Sequence, residues 1–163
     1  MAVSYRAATA ADEPFLFEML WLAFHWRDEA AAQPGAWPDP EAARRYLEGF
    51  GRPGDAGVIA EEDGTPVGGA WYRFMPASDP GYGYVEGVPE LGISVAAPAR
   101  GRGVGRGLIT RLLDRARADG LSGVSLSVEP DNPARGLYER LGFVKVGEVG
   151  GAWTLLRSLT YSL

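Results

Sequence analysis

Between Glu90 and Leu108 the spacing of apolar residues changes abruptly, from every second position to every fourth. Before the change, apolar residues alternate with small ones, which is the period of a strand with one buried face. These apolar residues are Leu91, Ile93 and Val95. From Val104 onward the apolar positions lie along one stripe of a helix. The sequence therefore predicts a strand that leads through a turn into a helix.

The turn between this strand and this helix is rich in glycine and arginine. Its glycines carry no Cβ and can adopt positive φ, so an anion can approach the main chain closely. They are Gly101, Gly103 and Gly105. The first turn of the helix adds unbonded N–H groups and about half a positive charge. With further charge from Arg100, Arg102 and Arg106, the turn is predicted to bind a pyrophosphate.

Two familiar phosphate-binding loops do not fit this turn. No Gly-Lys-Ser/Thr follows, which excludes the nucleotide-triphosphatase loop. Arg106 occupies a glycine position of the dinucleotide pattern that would start at Gly101. What remains is an RxxGxG pattern formed by Arg100, Gly103 and Gly105. The alternative is a glycine-rich surface connection with scattered arginines.

The composition of the chain limits the chemistry that it can perform. The 163 residues are 46% hydrophobic with a net charge of −5, which suits one domain, residues 1–163, and disfavours nucleic acid as a partner. With no cysteine and one histidine, His25, the chain lacks the usual ligands of a metal site and has no thiolate nucleophile. The apolar segment from Met19 to Trp26 is too short to span a bilayer and lacks the features of a signal peptide. We therefore expect no membrane partner and a soluble cytoplasmic protein.

The first part of the chain carries predicted elements but no motif of its own. A strand is predicted from Val3 to Ala7, and Thr9 with Asp12 has the spacing of a capping box at the start of a helix. The predicted buried stripe of this helix comprises Phe15, Met19, Leu22 and Trp26. Three rings beside the stripe can belong to the core or can line a ligand pocket. They are Trp21, Phe24 and His25.

A loop, a helix and a hairpin are predicted next. Residues 33–38 are expected to form the loop, and Asp39 caps a helix with Pro40 at its first position that runs to about Gly49. Strands at residues 58–61 and 67–74 form the hairpin, with Trp71 in the core. Residues 75–84 then form a loop that can admit or select a substrate, or can be a plain surface connection.

The last part of the chain predicts a crossover unit. The helix from Val104 is expected to end at Asp119 and Gly120, before a strand at residues 124–128. A strand, a helix and a strand in this order place the two strands parallel. Asn132 and Pro133 predict the start of a further helix, and strands at residues 143–149 and 153–159 form a final hairpin.

Two linked motifs resemble those of the GNAT superfamily of acyl-CoA-dependent N-acetyltransferases. They are RGRGVG at residues 100–105, after a strand, and DNPARGLYERLGF at residues 131–143. The match is strongest from Glu90 to Val146, and the predicted order of elements fits the same fold along nearly the whole chain. The resemblance implies an α/β (α+β) fold: a mixed, mostly antiparallel sheet with splayed parallel central strands and helices on both faces.

The resemblance also implies acetyl-CoA as co-substrate, without a metal. In that family the turn binds the pyrophosphate, and main-chain groups of the central strand hold the pantetheine arm and the thioester. The implied cofactor-binding residues are Ile93, Ser94, Val95, Arg100, Gly101, Arg102, Gly103, Val104, Gly105, Arg106, Asn132 and Tyr138. The N–H group of Val95 is the candidate that polarises the thioester carbonyl, a contribution of about 3 kcal/mol in the transition state.

Tyr138 matches the tyrosine that commonly protonates the departing thiolate in this family. A phenol titrates near about 10 and a thiol near about 8.5, so Tyr138 can supply that proton. The alternative is a tyrosine that packs on the sheet. Many members place an asparagine seven residues before the tyrosine, where this chain has Asp131, and Asn132 follows it. Either residue can cap the helix, and Arg135 can reach a cofactor phosphate or remain exposed.

Transfer to an amine also requires a base, because an ammonium group is not nucleophilic until it loses its proton. By analogy with the family, Glu90 at the start of the central strand is the predicted catalytic base. Glu86 is the second candidate, and Glu129, beyond the neighbouring strand, is the third. Each of them can instead be a solvated charge.

Together these inferences predict an enzyme that moves the acetyl group of acetyl-CoA directly to an amine, without a covalent acyl-enzyme. The acceptor is a small molecule or a protein N-terminus or lysine. The alternatives are a non-catalytic acyl-CoA-binding or sensor domain, and transfer of a different acyl group. We expect a monomer or a homodimer.

Overall fold

The computed structural model describes residues 2–30, 32–33 and 35–160. The strands are β1 (Val3–Ala7), β2 (Ala56–Glu62), β3 (Thr65–Arg73), β4 (Glu90–Val95), β5 (Gly123–Val128), β6 (Val144–Val149) and β7 (Ala152–Ser158). The α-helices are α1 (Glu13–Phe24), α2 (Pro40–Leu47), α3 (Val104–Ala118) and α4 (Ala134–Arg140). All these strands belong to one sheet, in the order β1-β2-β3-β4-β5-β7-β6.

The centre of the sheet contains its one parallel pair among the described residues. Strands β4 and β5 are parallel, and the other neighbouring pairs are antiparallel. The parallel pair is joined at a single position, Glu90 opposite Ser125, after which the two strands separate. The predicted mixed, mostly antiparallel sheet with a splayed central pair is therefore confirmed. The separation leaves a gap between the C-terminal parts of β4 and β5.

Helices cover both faces of the sheet, as predicted. On one face, α3 and α4 pack on a core whose central side chains are Leu108, Ile109 and Leu112. On the other face, α1 and α2 pack on a second core around Leu16, Leu47 and Trp71. The burial of Trp71 confirms its predicted place in the core.

Helix α1 departs from its predicted buried stripe. The helix ends at Phe24, so Trp26 lies beyond it. Phe15 and Leu22 are only half-buried. Its most buried side chains are Leu16, Met19 and Leu20. The stripe was misjudged because α1 is apolar around most of its circumference, so the pattern indicated its inward side poorly.

Other boundaries differ from the predictions by one or two residues. Helix α2 ends at Leu47 rather than Gly49, β3 ends at Arg73, and α4 begins at Ala134, after Pro133. The predicted loop at residues 33–38 includes Pro34, which lies outside the described residues. No helix in the described part of the chain is long and apolar enough to cross a bilayer. The assignment of residues 1–163 to one domain stays a prediction.

Candidate active site

A cavity of about 750 Å³ lies in the gap between β4 and β5. Residues 90–95 form one wall, residues 126–129 another, and the C-terminal half of α1 closes a third side. Its volume falls within the range of about 300–1,000 Å³ typical of small-molecule sites. Seven of the predicted site residues line it: Glu90, Ile93, Ser94, Val95, Arg100, Asn132 and Tyr138. The separation of the strands thus creates a ligand-sized cavity where the sequence placed the cofactor.

The turn before α3 has the open backbone that the sequence predicted. Gly101 and Gly103 have φ of +75° and +80°, and apart from the adjacent residues of the chain no described atom lies within 4 Å of the place where a Cβ would stand on either residue. For Gly105 the prediction of a positive φ is wrong, because this residue is the second of α3 and has a helical backbone. An ordinary helical φ suits that position, since the chain has already entered the helix.

The N-terminus of α3 is free of a side-chain cap. The N–H of Gly107 donates to the carbonyl oxygen of Gly103 at 3.0 Å, as the helical ladder begins. The preceding N–H groups, of Val104, Gly105 and Arg106, therefore have no carbonyl of the helix to bind. With the helix dipole, they form a site suited to an anion.

The three arginines of the turn occupy different environments. Arg100 lines the cavity and pairs with Glu29 at 2.9 Å. Arg102 pairs with Glu62 on β2, and Arg106 is exposed. Only Arg100 among them therefore contributes to the wall of the cavity, while the other two lie farther along the turn and the helix.

The main chain of β4 presents alternate polar groups to the gap. The N–H of Ala96 donates to the carbonyl oxygen of Val67 at 2.8 Å, toward β3. Because successive residues of a strand point their main-chain groups to opposite sides, Ile93 and Val95 direct theirs toward β5. The carbonyl oxygen of Val95 accepts a hydrogen bond from Nε of Arg100 at 2.8 Å. The N–H of Val95 thus points into the gap between β4 and β5.

Tyr138 lies on α4 with its side chain in the cavity wall. It is buried, and its ring lies edge-on to Phe143. Burial raises the pKa of Tyr138 to about 12, so the phenol carries its proton at neutral pH. Before the same helix, Oδ1 of Asn132 accepts the N–H of Ala134 at 2.9 Å, while the N-cap position itself is held by Pro133 rather than by Asp131 or Asn132. The guanidinium of Arg135 stacks over the ring of Trp153.

Glu90 is the most unusual titratable residue of the cavity. Its side chain is 2% exposed, and Oε2 accepts a hydrogen bond from the hydroxyl of Tyr46. Oε1 is also buried and has no hydrogen-bond partner among the described residues. Burial raises the pKa of Glu90 to about 7, against the opposing effect of the Tyr46 hydroxyl. A carboxyl group in this range can exchange protons near neutral pH.

Three further side chains line the cavity near Glu90, and the sequence analysis did not identify them as site residues. They are Asp39, Tyr46 and Tyr82. The N–H of Tyr82 donates to the hydroxyl oxygen of Tyr46 at 2.9 Å, and the hydroxyl of Tyr82 donates to Oδ2 of Asp39 at 2.6 Å. A Cβ on Gly81 would lie 2.3 Å from Oε1 of Glu90, so the loop passes directly over the carboxylate. The predicted loop at residues 75–84 therefore belongs to the site. Its signal in the sequence was a composition rich in glycine and proline directly before the central strand.

The other candidate bases lie outside this arrangement. Glu86 is exposed and is not part of the cavity wall. Glu129 lies at the rim, where it pairs with Arg27 at 2.8 Å, and Arg27 also pairs with Asp131 at 2.6 Å. Of the three carboxylates considered, only Glu90 is buried inside the cavity.

The rings near the end of α1 divide between pocket and core. Phe24 lines the cavity, as does Trp26 beyond the helix. His25 is buried away from it, with Nδ1 at 3.0 Å from Asp28 and Nε2 at 2.8 Å from the carbonyl oxygen of Ala36. Trp21 donates to the same carbonyl oxygen at 2.9 Å. His25 and Trp21 thus hold the chain after α1 in place.

Comparison with known proteins identifies the family. The sequence model of the acetyltransferase (GNAT) family matches residues 15–143. A mycothiol acetyltransferase from Rhodococcus jostii is 33% identical over 137 residues, which cover 81% of this chain and 42% of that protein. The chain thus spans less than half the length of this curated relative.

Solved structures share the fold. The ribosomal-protein-alanine N-acetyltransferase from Brucella melitensis superposes with a TM-score of 0.69 at 28% identity, covering 96% of this chain and 99% of that one. The yncA protein from Salmonella typhimurium, solved with its cofactor acetyl-CoA, has a TM-score of 0.68 at 22% identity and covers 100% and 97%. This second likeness concerns the fold alone. Because the family model matches most of the chain, the protein belongs to the acetyltransferase (GNAT) family, as its two linked motifs predicted.

Proposed function

We propose that the protein transfers the acetyl group of acetyl-CoA directly to an amine. One observation carries this proposal: a proton donor, Tyr138, and a group with a pKa of about 7, Glu90, line the same cavity between the separated strands. A domain that only binds acyl-CoA has no need of a buried carboxylate whose pKa is raised to about 7 in the same cavity. A pKa matched to the working pH is characteristic of a general base.

The residues present fit coenzyme A. The uncapped start of α3 and the open positions at Gly101 and Gly103 would hold the pyrophosphate. The inward N–H groups of Ile93 and Val95 would hold the pantetheine arm, in a gap that β5 leaves free. When bound, acetyl-CoA supplies an acetyl group activated as a thioester.

Two side chains of the cavity would each move one proton during transfer. Glu90 accepts one proton from the ammonium group of the acceptor, which makes the nitrogen a nucleophile. Tyr138 gives one proton to the departing sulfur as the carbon–sulfur bond breaks and the carbon–nitrogen bond forms. The N–H of Val95 stabilises negative charge on the carbonyl oxygen between these events. The attacking nitrogen loses its second proton as the amide forms, and that proton restores Tyr138 through water. Glu90 releases its proton to water, so each transfer yields the amide, free coenzyme A and one proton.

Thiol release from acetyl-CoA across a panel of amines tests this function. The wild-type protein is expected to release one thiol for each N-acetylated product, and Tyr138→Phe to lower kcat by about 100-fold, the usual contribution of a general acid. The affinity for coenzyme A, measured by calorimetry, should change by less than about twofold because a single hydroxyl is removed. Tyr5→Phe, on β1 outside the cavity wall, is the matched control and should retain kcat.

The alternatives predict other results in the same assay. Binding of coenzyme A without turnover of any amine would favour a sensor domain. Faster thiol release from a longer acyl-CoA would favour a different acyl group. The acceptor named for the curated relative is not assigned to this protein, because this chain covers only 42% of that relative. A cytoplasmic location and a monomeric or dimeric state stay predictions.

A further inference from the structure

The cavity between β4 and β5 is bordered by helices from both faces of the sheet, and the two sides are lined differently. The proposed pyrophosphate turn and Tyr138 belong to the side of α3 and α4. The other side is lined by α1, α2 and the loop before β4, with Phe24, Asp39, Tyr82 and Glu90 in its wall. We call this second side the acceptor end, because the proposed cofactor groups occupy the first.

The C-terminal half of α1 turns an apolar surface toward the cavity. All six residues from 19 to 24 are hydrophobic, so this part of the helix is apolar also on the side that faces away from the sheet. Leu22, Ala23 and Phe24 line the cavity and are half-buried, and Trp26 joins them beyond the end of the helix. Packing on the sheet requires only one apolar side of a helix, so the core does not account for the second.

Aromatic side chains extend this apolar surface across the acceptor end. The ring of Phe24 meets those of Trp37 and Tyr82 edge-on, with centroids 5.9 Å and 6.4 Å away. Aromatic pairs prefer this arrangement, so the three rings support one another. Pro38, which precedes α2, also lines the cavity. Apolar surface of this kind gains free energy when the apolar part of a ligand covers it and displaces water.

The charges of the acceptor end are partly offset within the protein. The hydroxyl of Tyr82, with a smaller contribution from the Arg45 guanidinium, lowers the pKa of Asp39. Burial raises the pKa of Glu90 to about 7, and the same guanidinium opposes this effect. Arg45 also pairs with Asp79 at 3.2 Å. This end therefore suits a single ammonium group and provides no reason for a second charge on the acceptor.

We propose that the acceptor is a primary amine whose remaining part is apolar and uncharged. Its ammonium group is directed to the side of the acceptor end that holds the carboxylates, and its apolar part covers Phe24 and the neighbouring surface of α1. This inference rests on the acetyl transfer proposed above and names its substrate class. It is carried by the second apolar side of α1, which contains none of the proposed cofactor-binding residues.

Two amines of equal size test the inference by steady-state kinetics at pH 8. Hexylamine and 5-aminopentan-1-ol have the same number of non-hydrogen atoms and differ only in a terminal methyl or hydroxyl group, far from the nitrogen. We expect kcat/KM for hexylamine to exceed that for the alcohol by about tenfold or more, because an apolar wall cannot replace the water bound to a hydroxyl. Propylamine, which is shorter, should also be poorer than hexylamine by about tenfold.

Phe24→Ala tests where the apolar part lies. The ratio of kcat/KM between hexylamine and 5-aminopentan-1-ol should fall by about threefold or more, because the alkyl chain loses its contact with the ring. Phe74→Ala removes the same ring at an exposed position outside the cavity wall and should keep the wild-type ratio. Chemical denaturation checks that both variants are folded in the assay. A wild-type ratio in folded Phe24→Ala would overturn the placement of the apolar part.

The amine series with the wild-type protein decides the inference even where Phe24→Ala does not fold. Equal efficiency for hexylamine and 5-aminopentan-1-ol, or a preference for the alcohol, would overturn the apolar acceptor alone. Turnover of other amines but of none of these three would do the same. No turnover of any amine, with coenzyme A still bound in calorimetry, would overturn the transfer reaction and the apolar acceptor together.

Discussion

The two ends of the cavity are built from different parts of the polypeptide. At the proposed cofactor end, main-chain N–H groups of β4 face the gap, and those at the start of α3, beside the open turn at Gly101 and Gly103, lie outside the cavity wall. At the other end the groups that face the gap are side chains, from α2, from the loop before β4 and from β4 itself. A main-chain site depends on local conformation, whereas a side-chain site depends on how distant elements pack.

The two ends also differ in their charge. The start of α3 carries partial positive charge from its unbonded N–H groups, which suits a pyrophosphate. The end near Asp39 and Glu90 carries carboxylates, which suit ammonium groups. The two ends therefore favour ligand groups of opposite charge, a pyrophosphate at one and an ammonium group at the other. Substitutions at the two ends should therefore have distinct signatures.

The largest effect is expected at the main chain of the turn. Gly103→Asp places a carboxylate where the backbone is open and the pyrophosphate is proposed to bind. We expect affinity for coenzyme A, measured by calorimetry, to fall by about 1,000-fold, since a like charge faces the phosphates. Gly103→Asn is the matched control, because it has the same shape, tolerates positive φ and lacks the charge. Equal affinity in Gly103→Asp and the wild type would contradict a phosphate site at this turn.

The next effect concerns the buried carboxylate at the acceptor end. The pKa of Glu90 is raised from 4.5 to about 7, so its neutral form is favoured by folding. This stabilising contribution is complete below about pH 4.5 and is lost as the pH rises through about 7, a change of about 3 kcal/mol. Glu90→Gln keeps the shape without the charge. Chemical denaturation should therefore find the variant more stable than the wild type by up to about 3 kcal/mol at pH 8 and equal to it near pH 4.5.

Activity completes this test of Glu90. If the carboxylate is the base, the more stable Glu90→Gln variant should lose about 100-fold in kcat/KM. A variant that is less stable than the wild type at pH 8 would show that the buried charge is well compensated. The charge of the protein at the acceptor end would then be neutralised by neighbouring groups.

A smaller effect is expected from the hydrogen bond that holds Glu90. In the wild type, kcat/KM should rise with pH through about 7, as Glu90 loses its proton. The hydroxyl of Tyr46 favours the ionised form, so Tyr46→Phe should move this midpoint upward by about one pH unit. Tyr82→Phe leaves the N–H that binds Tyr46 in place and should not move it. An unchanged midpoint in Tyr46→Phe would assign the titration to another group.

The smallest effect is expected from the exposed arginine of α3. Arg106 is exposed to solvent, where salt screens its charge, so Arg106→Ala should weaken coenzyme A binding by about threefold at 0.15 M salt. Calorimetry at two salt concentrations measures this contribution. A loss of about 30-fold or more would mean that side chains rather than main-chain groups hold the phosphate, and the contrast between the two ends would disappear.

The elements that the sequence predicted well are those with strong local patterns. The alternation at Leu91, Ile93 and Val95 and the glycine at 120 were enough to place β4 and the end of α3. Helix α1 was harder, because it is apolar on the side that packs on the sheet and on the side that lines the cavity. The spacing of apolar residues cannot show which of two apolar faces of a helix packs on the sheet.

Local patterns were sufficient for the strand, the open turn and the helix of the cofactor end, because the conformation of each depends on residues that are adjacent in the chain. The family resemblance added Tyr138 and Glu90. The resemblance also implied that β4 and β5 separate. Only the tertiary structure decided that they do so after one pair, and that Asp39, Tyr82 and Tyr46 form a chain of hydrogen bonds to Glu90. These residues meet because α2 and the loop before β4 pack on the same face of the sheet, and no spacing in the sequence records that contact.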